Sequence, residues 1–268
     1  MRDLREDEFI GEDGLIHCKA CGSARQMRIT ICGTRRTVTC LCTCQTEKRD
    51  LKEEEYHLQA KEAEIKQVKS DGLQDAALQH CTFANDLGYQ PESAKLRAYV
   101  EQFPAMRKRG AGLLLWGDVG TGKTFLAACV ANALLDQGIL VRMPVTGELL
   151  NKLMGIYPSE RNAFLKSLNT CSLLILDDFG MEHSSDFAMT QLFNIVDGRY
   201  RAGKPLIVTT NLTLQELKNP PDLAHRRIFD RLLEMCTPIR INRINGQNVR
   251  QLRAQEQMKA MKACLSAG

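Results

Sequence analysis

An α/β fold, in which helices flank a mostly parallel sheet, follows from three observations. The run LLLW at residues 113–116 is immediately followed by GDVGTGKT, which fits the P-loop pattern G-x-x-x-x-G-K-[ST] from Gly117 to Thr124. A second apolar run, LLIL at 173–176, ends in Asp177 and Asp178. Between and beyond these runs, strand-like and helix-like stretches alternate, which is the pattern of crossover connections and a parallel sheet.

The setting is bounded by composition. The chain has 268 residues, enough for a nucleotide-binding domain and a small accessory one. Lys and Arg total 36 against 32 Asp and Glu, a formal charge of +4, which is compatible with nucleic acid without requiring it. No apolar run approaches the ~18 residues of a membrane span, and MRDLREDEF does not fit a signal peptide. The expectation is a soluble, cytoplasmic protein with no membrane partner, so the 11 cysteines are not expected to form a disulfide framework.

The first element is a cysteine-rich head, residues 1–46. Cys18, Cys21, Cys32, Cys40, Cys42 and Cys44 crowd the first 44 residues. HCKACGS has the C-x-x-C-G form of a zinc knuckle, and TVTCLCTCQ supplies further thiolates about twenty residues later. The chosen ligand set is Cys18, Cys21, Cys42 and Cys44, with Cys40 as the alternative and Cys32 or His17 outside it. Free thiols and an iron–sulfur cluster are the rival readings. So short a segment has little apolar surface, and Zn²⁺ would supply its folding energy, on the order of 10 to 16 kcal/mol.

A charged linker helix is expected over 47–75. EKRDLKEEEYHLQAKEAEIKQVKS has no Gly or Pro, and Leu51, Leu58, Ile65 and Val68 form a narrow apolar stripe. Solvated rod and partner-docking helix are both open readings of it.

The nucleotide-binding domain occupies 76–268. Strand LLLW leads into the P-loop, where Gly117, Gly120 and Gly122 permit a tight turn with backbone N–H groups facing phosphates past Asp118, Val119 and Thr121. Lys123 reaches the β- and γ-phosphates of ATP, Thr124 offers a hydroxyl to Mg²⁺, and KTFLAACVANALL continues as an amphipathic helix whose N-terminus faces the triphosphate. This helix is expected to close at Gly138. ILVRMPV reads as the next strand, then TGELLNKLMG and SERNAFLKSLN as helices with Thr146 and Ser159 as N-caps. CSLLILDDFG must bring Asp177 out at the end of a buried strand to hold Mg²⁺, with Asp178 orienting water. KPLIVTTN is a further buried strand ending on Asn211, placed to contact the γ-phosphate or the lytic water. HRRIFDRLLEM sets Arg227 and Arg231 four apart on one helical face. IRINRINGQNVRQLR offers a last strand, a turn at Asn245 and Gly246, and a helix beginning near Arg250.

In the order GDVGTGKT, LLILDDFG, IVTTN, RRIFDRL and NGQNVR, the chain resembles the DnaC/DnaI-type replicative helicase loaders of the AAA+ ATPases. Its CxxCG…CxCQ head is similar to the zinc-bearing segment of phage and prophage members. The resemblance implies a five-stranded parallel AAA+ core, an N-terminal module that grips a hexameric replicative helicase, ATP-governed binding of single-stranded DNA, and self-association into a spiral or ring. Carried over residue by residue, Lys123 and Thr124 are Walker A, Asp177 and Asp178 Walker B, Asn211 sensor 1, Arg231 the arginine finger with Arg227 before it, and Arg250 sensor 2. Asp178 stands where many such ATPases have Glu, and NVR replaces the SYR frequent in the family. The rivals are a transposition helper of the IstB type, which usually lacks the cysteine head, a small-molecule P-loop kinase, and a slowly hydrolysing DNA-binding adaptor. Arg107, Lys108, Arg109, Arg161 and Lys166 are read equally well as channel-lining or as solvated charges.

Overall fold

A computed structural model of the chain describes residues 4–31, 33–73, 75–86, 91–180, 185–243 and scattered positions between 249 and 262. Two compact units are formed, Met1–Ala63 and Glu64–Gly268. No helix among the described residues is long and apolar enough to cross a membrane.

In the first unit, β1 (Glu8–Ile10) pairs antiparallel with β2 (Ile16–Cys18), and β3 (Gln26–Ile31) with β4 (Thr34–Thr39). The first hairpin is too short for a period to show, whereas β3 does alternate, with Met27, Ile29 and Ile31 on one face. The long helix α1 (Thr43–Gly72) follows at once, earlier than the charge pattern suggests. Leu51 is exposed, while Leu58, Ile65 and Val68 belong to the stretch whose side chains lie outside the description, as does Cys32.

After the end of α1, the second unit continues through a segment in which the sequence pattern predicts no element. Helices α2 (Ala76–Gln79), α3 (Ser93–Glu101) and α4 (Phe103–Arg109) precede β5 (Gly112–Trp116) and α5 (Lys123–Leu135). Leu96, Tyr99, Val100 and Phe103 join α5 in one core cluster. This explains a correction: α5 is not amphipathic, because ten of its thirteen residues are buried. Its buried Asn132 donates to the carbonyls of Leu78 and Cys81, both at 2.8 Å, and so ties the segment after α1 to the helix.

Next come β6 (Val141–Arg142), α6 (Thr146–Gly155), α7 (Pro158–Leu168), β7 (Leu173–Phe179), α8 (Asp186–Arg201), β8 (Leu206–Thr210), α9 (Leu214–Lys218), α10 (Leu223–Met235) and β9 (Cys236–Arg240). Strand β6 is shorter than ILVRMPV suggests. Pro144 has no N–H to give a ladder, and the Met143 N–H turns to the Gly72 carbonyl at 3.1 Å. The expected N-caps also differ: Val145 and Tyr157 cap α6 and α7, leaving the Thr146 hydroxyl free for another task.

The sheet is wholly parallel, in the order β6-β7-β8-β5-β9. Both faces are covered. Leu113, Leu115 and Ile175 pack with α3 and α5, while Leu114, Leu174 and Leu176 pack with α6, α8 and α10, so the strands read as unbroken apolar runs. Arg199 on α8 is fully buried and donates to the carbonyls of Cys171, Ser172 and Pro205, fastening the entrances of β7 and β8.

Candidate functional site

Strand β5 lies between β8 and β9, and the P-loop leaves its carboxyl end, the edge of a parallel sheet at which ligands bind. Gly117 has φ of 141°, and a Cβ there would lie 2.3 Å from the Ile241 carbonyl oxygen, so no other residue lets the loop leave the strand at this angle. The loop's outer side is held by the segment after β9. Ile241 N–H donates to the Trp116 carbonyl at 2.8 Å and Val249 N–H to that of Gly120 at 2.9 Å. Asp118 pairs with Arg243 at 3.0 Å, Val119 is exposed, and the buried Thr121 hydroxyl returns to the Asp118 carbonyl at 3.0 Å.

Lys123 is almost fully buried, and its ammonium donates to three oxygens at 2.8 Å each, the carbonyls of Gly117 and Asp118 and Oδ1 of Asn211. Strand β8, which ends beside Asn211, lies between β5 and β7. The P-loop strand and the acid-bearing strand are therefore not neighbours; β8 carries the groups that join them.

Thr209 is the chief of those groups, and sequence reading passed over it. Its hydroxyl donates to Asp177 Oδ1 at 2.6 Å and accepts the Asp178 N–H at 3.0 Å. In a regular strand Asp177 and Asp178 would point to opposite faces. Here the pairing steps from Leu176 opposite Val208 to Phe179 opposite Thr210, so both acids bulge out opposite Thr209 alone. Asp178 takes the left-handed conformation, φ 52°, the only described residue other than glycine to do so, and Asp tolerates it better than most residues. The buried Thr146 hydroxyl donates to the Asp177 carbonyl at 2.7 Å, the task for which it is spared from capping. The Thr210 hydroxyl fixes the Phe179 carbonyl at 2.7 Å.

Burial pushes the Asp177 carboxyl up from its ordinary value, opposed by the hydroxyls of Thr209 and Thr124. A buried carboxylate beside the Thr124 hydroxyl is the kind of oxygen set that a hard divalent cation such as Mg²⁺ takes. The raised value also has a sign. A carboxyl whose folded pKa exceeds the unfolded ~3.9 favours the folded chain while protonated, and that support is lost as pH rises through the folded value. Asp177→Asn keeps an acceptor for Thr209 and removes the charge. Without nucleotide or Mg²⁺ it is expected to melt at a higher temperature than the parent at pH 7 to 8, with the gain gone below about pH 4, while Mg²⁺-dependent ATP binding weakens. Thermal melts across pH check this; a lower melting temperature at neutral pH contradicts it.

Arg231 and Arg227 lie elsewhere. Arg231 Nε pairs with Asp197 at 2.8 Å, Nη1 donates to the Arg227 carbonyl at 3.0 Å, and the guanidinium lies 4.7 Å from the Phe193 ring centroid. Arg227 stacks over the same ring at 4.3 Å. All of these partners are on α8 and α10, and none is in the P-loop. Arg250 falls outside the described residues, with Asn245 and Gly246.

The first unit holds a second site. The Sγ atoms of Cys18, Cys21, Cys42 and Cys44 all lie within 4.8 Å of one another. Cys18 closes β2, Gly22 at φ 71° turns the knuckle, and Cys42 and Cys44 stand at the start of α1. The Thr43 N–H, donating to Ser23 Oγ at 2.9 Å, ties the two halves together. Tetrahedral zinc with bonds of ~2.3 Å spaces sulfurs about 3.8 Å apart; Cys18 and Cys44 are 3.8 Å apart and Cys42 and Cys44 3.3 Å. Cys40 is not in the group: it extends the hairpin, its N–H on the Arg25 carbonyl at 2.8 Å and its thiol facing the Ala24 carbonyl. His17 is taken by Asp13 and the Gly22 carbonyl. The Ser23 hydroxyl draws the Cys21 thiol down, whereas Cys42 pushes the Cys44 thiol up. The buried Arg25 guanidinium, paired with Asp7 and Glu8, donates to Cys18 Sγ at 3.2 Å as an outer-shell support.

The sheet order, the P-loop after β5 and the acid-bearing strand beyond β8 define an ATP-binding core of the AAA+ class. The match to the model of the IstB-like ATP binding proteins extends over residues 48–258, and the chain belongs to that family. It is 27% identical over 161 residues to the replicative helicase loader DnaC of Escherichia coli K12, covering 58% of this chain and 63% of that one. To the replicative helicase loader DnaI of Bacillus subtilis it is 29% identical over 156 residues, covering 53% and 48%. The chain thus spans from about half to just under two thirds of these curated relatives. A solved structure of DnaI superposes with a TM-score of 0.55 at 25% identity, over 64% of this chain and 96% of that one.

Proposed function

We propose that the protein is an ATP-hydrolysing helicase loader that binds a hexameric replicative helicase and places it on single-stranded DNA. Supporting this reading above all is the likeness of its nucleotide core to two proteins named as replicative helicase loaders. In the proposal, residues 1–46 hold the helicase, 47–75 join that module to the core, and 76–268 hydrolyse ATP, slowly and faster with single-stranded DNA. The P-loop amides and Lys123 hold the phosphates; Thr124 and Asp177 hold Mg²⁺, which would neutralise charge on the transferred phosphoryl group. Asp178 and Asn211 orient the attacking water. Arg250 senses the γ-phosphate, and Arg231, with Arg227, completes a neighbouring subunit's site. Cys18, Cys21, Cys42 and Cys44 hold Zn²⁺, which shapes the N-terminal module. The family match favours a second reading, an IstB-type helper that acts on DNA with a transposase.

Copurification with a hexameric replicative helicase tests the first reading against the second. The purified chain is expected to hold about one zinc and to retain the helicase on an affinity column. Cys18→Ser with Cys21→Ser should lose both while binding ATP as before, because core and head are separate units. Absence of zinc, or a double variant that still retains helicase, overturns the assignment of the head.

A further inference from the structure

The hairpin β3–β4 has no part in the nucleotide site or the cysteine centre, and its composition is unlike that of its surroundings. Residues 1–23 contain six acidic and three basic residues; residues 24–46 contain four arginines, no acid and no aromatic residue. Arg25 is consumed by Asp7, Glu8 and Cys18, and Arg28 is held at the Asp13 carbonyl at 2.8 Å. Arg35 and Arg36 are exposed and form no ion pair among the described residues. Around them Thr30, Thr34, Thr37 and Thr39 present exposed hydroxyls.

Among the described residues the strands pair only with each other, from Gln26 opposite Thr39 to Ile31 opposite Thr34. Six residues at ~3.4 Å each make a ribbon of about 20 Å. Apart from the half-buried Gln26, Ile29 and Val38, its described residues are exposed on both faces. A lone two-stranded hairpin is marginal in water; this one is anchored at its base by the cysteine centre and carries exposed Met27 near that base and exposed Ile31 at its tip. Arginines and threonine hydroxyls without a carboxylate among them are the groups that contact phosphate oxygens. A two-stranded ribbon also fits the major groove, which is ~12 Å wide. Single strands are instead gripped by aromatic stacking, and residues 24–46 have no aromatic side chain.

We propose that β3–β4 is a duplex DNA contact, in which Arg35 and Arg36 bind the phosphates flanking a major groove. The contact is separate from the single-strand binding ascribed to the nucleotide core and does not depend on it.

The test measures full-chain binding to a mixed-sequence duplex and to a single strand by fluorescence anisotropy over a salt series. Each phosphate contact contributes about 0.9 to the slope of log affinity against log salt for a duplex. Arg35→Ala with Arg36→Ala should lower that slope by about 1.8 and weaken duplex binding at least ~10-fold at low salt, while single-strand binding, zinc content and ATP affinity stay at parental values. Arg35→Lys with Arg36→Lys should keep the slope. The proposal is overturned if the parent does not bind duplex, if the alanine pair leaves duplex binding and its slope unchanged, or if single-strand binding falls equally. Loss of helicase retention with duplex binding intact would assign the ribbon to an acidic protein surface and overturn it as well.

Discussion

Lys123→Ala should bind a fluorescent ATP analogue about 100-fold more weakly than the parent, since a hydrogen bond to a charged group contributes roughly 1.5 to 3 kcal/mol and the ammonium makes several to phosphate. The fold should survive. The P-loop is shaped by glycines, by the Thr121 hydroxyl and by the Ile241 and Val249 amides, none of which needs the lysine. What the substitution removes is the donor shared by the Gly117 and Asp118 carbonyls and Asn211 Oδ1. Arrival of the phosphates must draw the ammonium from this set, so the variant separates nucleotide binding from loop formation. Unchanged affinity, with circular dichroism like the parent's, would remove Lys123 from the phosphate site and with it the basis for reading the crevice as a nucleotide pocket.

The parts of this arrangement differ in how visible they were beforehand, and the reasons are physical. Strands β5, β7 and β8 are buried on both faces, so each is an apolar run between polar ends. The P-loop is dictated by backbone geometry and shows as a motif. By contrast, β1 and β2 are three residues long, too short for a period to emerge, and the alternation of Met27, Ile29 and Ile31 in β3 meets a β4 whose one apolar residue is Val38, so the ribbon does not stand out as a hairpin. Helices α3 and α4 were overlooked although Leu96, Tyr99, Val100 and Phe103 recur at helical spacing; burial of α5 on nearly every side was the missing clue that something covers it. The joining role of Thr209 was illegible because it depends on a bulge. Only when Asp177 and Asp178 share a single opposite residue can one hydroxyl serve both, and no local pattern in LLILDDFG announces that extra residue. The signal available was indirect: adjacent acids after a buried strand cannot both face one crevice without an irregularity.

Arg231→Ala is expected to bind ATP nearly as well as the parent and to lose hydrolysis stimulated by single-stranded DNA by about 10³-fold or more, the scale on which arginine fingers act. Its described partners, Asp197, the Arg227 carbonyl and the rings of Phe193 and Tyr200, keep it on α8 and α10, away from the Lys123 ammonium of its own chain. If Arg231 is a finger, the site it serves is another subunit's. That makes a mixing experiment informative, because Lys123→Ala subunits keep a good finger and Arg231→Ala subunits keep a good pocket. Together they can assemble composite sites that neither makes alone, and activity should partly return. The ion pair raises a competing explanation, in which Arg231 only fastens α10 to α8. Asp197→Asn separates the two, since it removes the charge that holds Arg231, and Arg201 beside it, while keeping the arginine itself. If Arg231 acts by fastening, Asp197→Asn should match Arg231→Ala in lost hydrolysis, and mixing should rescue neither. If it acts across the subunit boundary, Asp197→Asn should retain most hydrolysis, because the arginine it releases is the one a neighbour's γ-phosphate attracts.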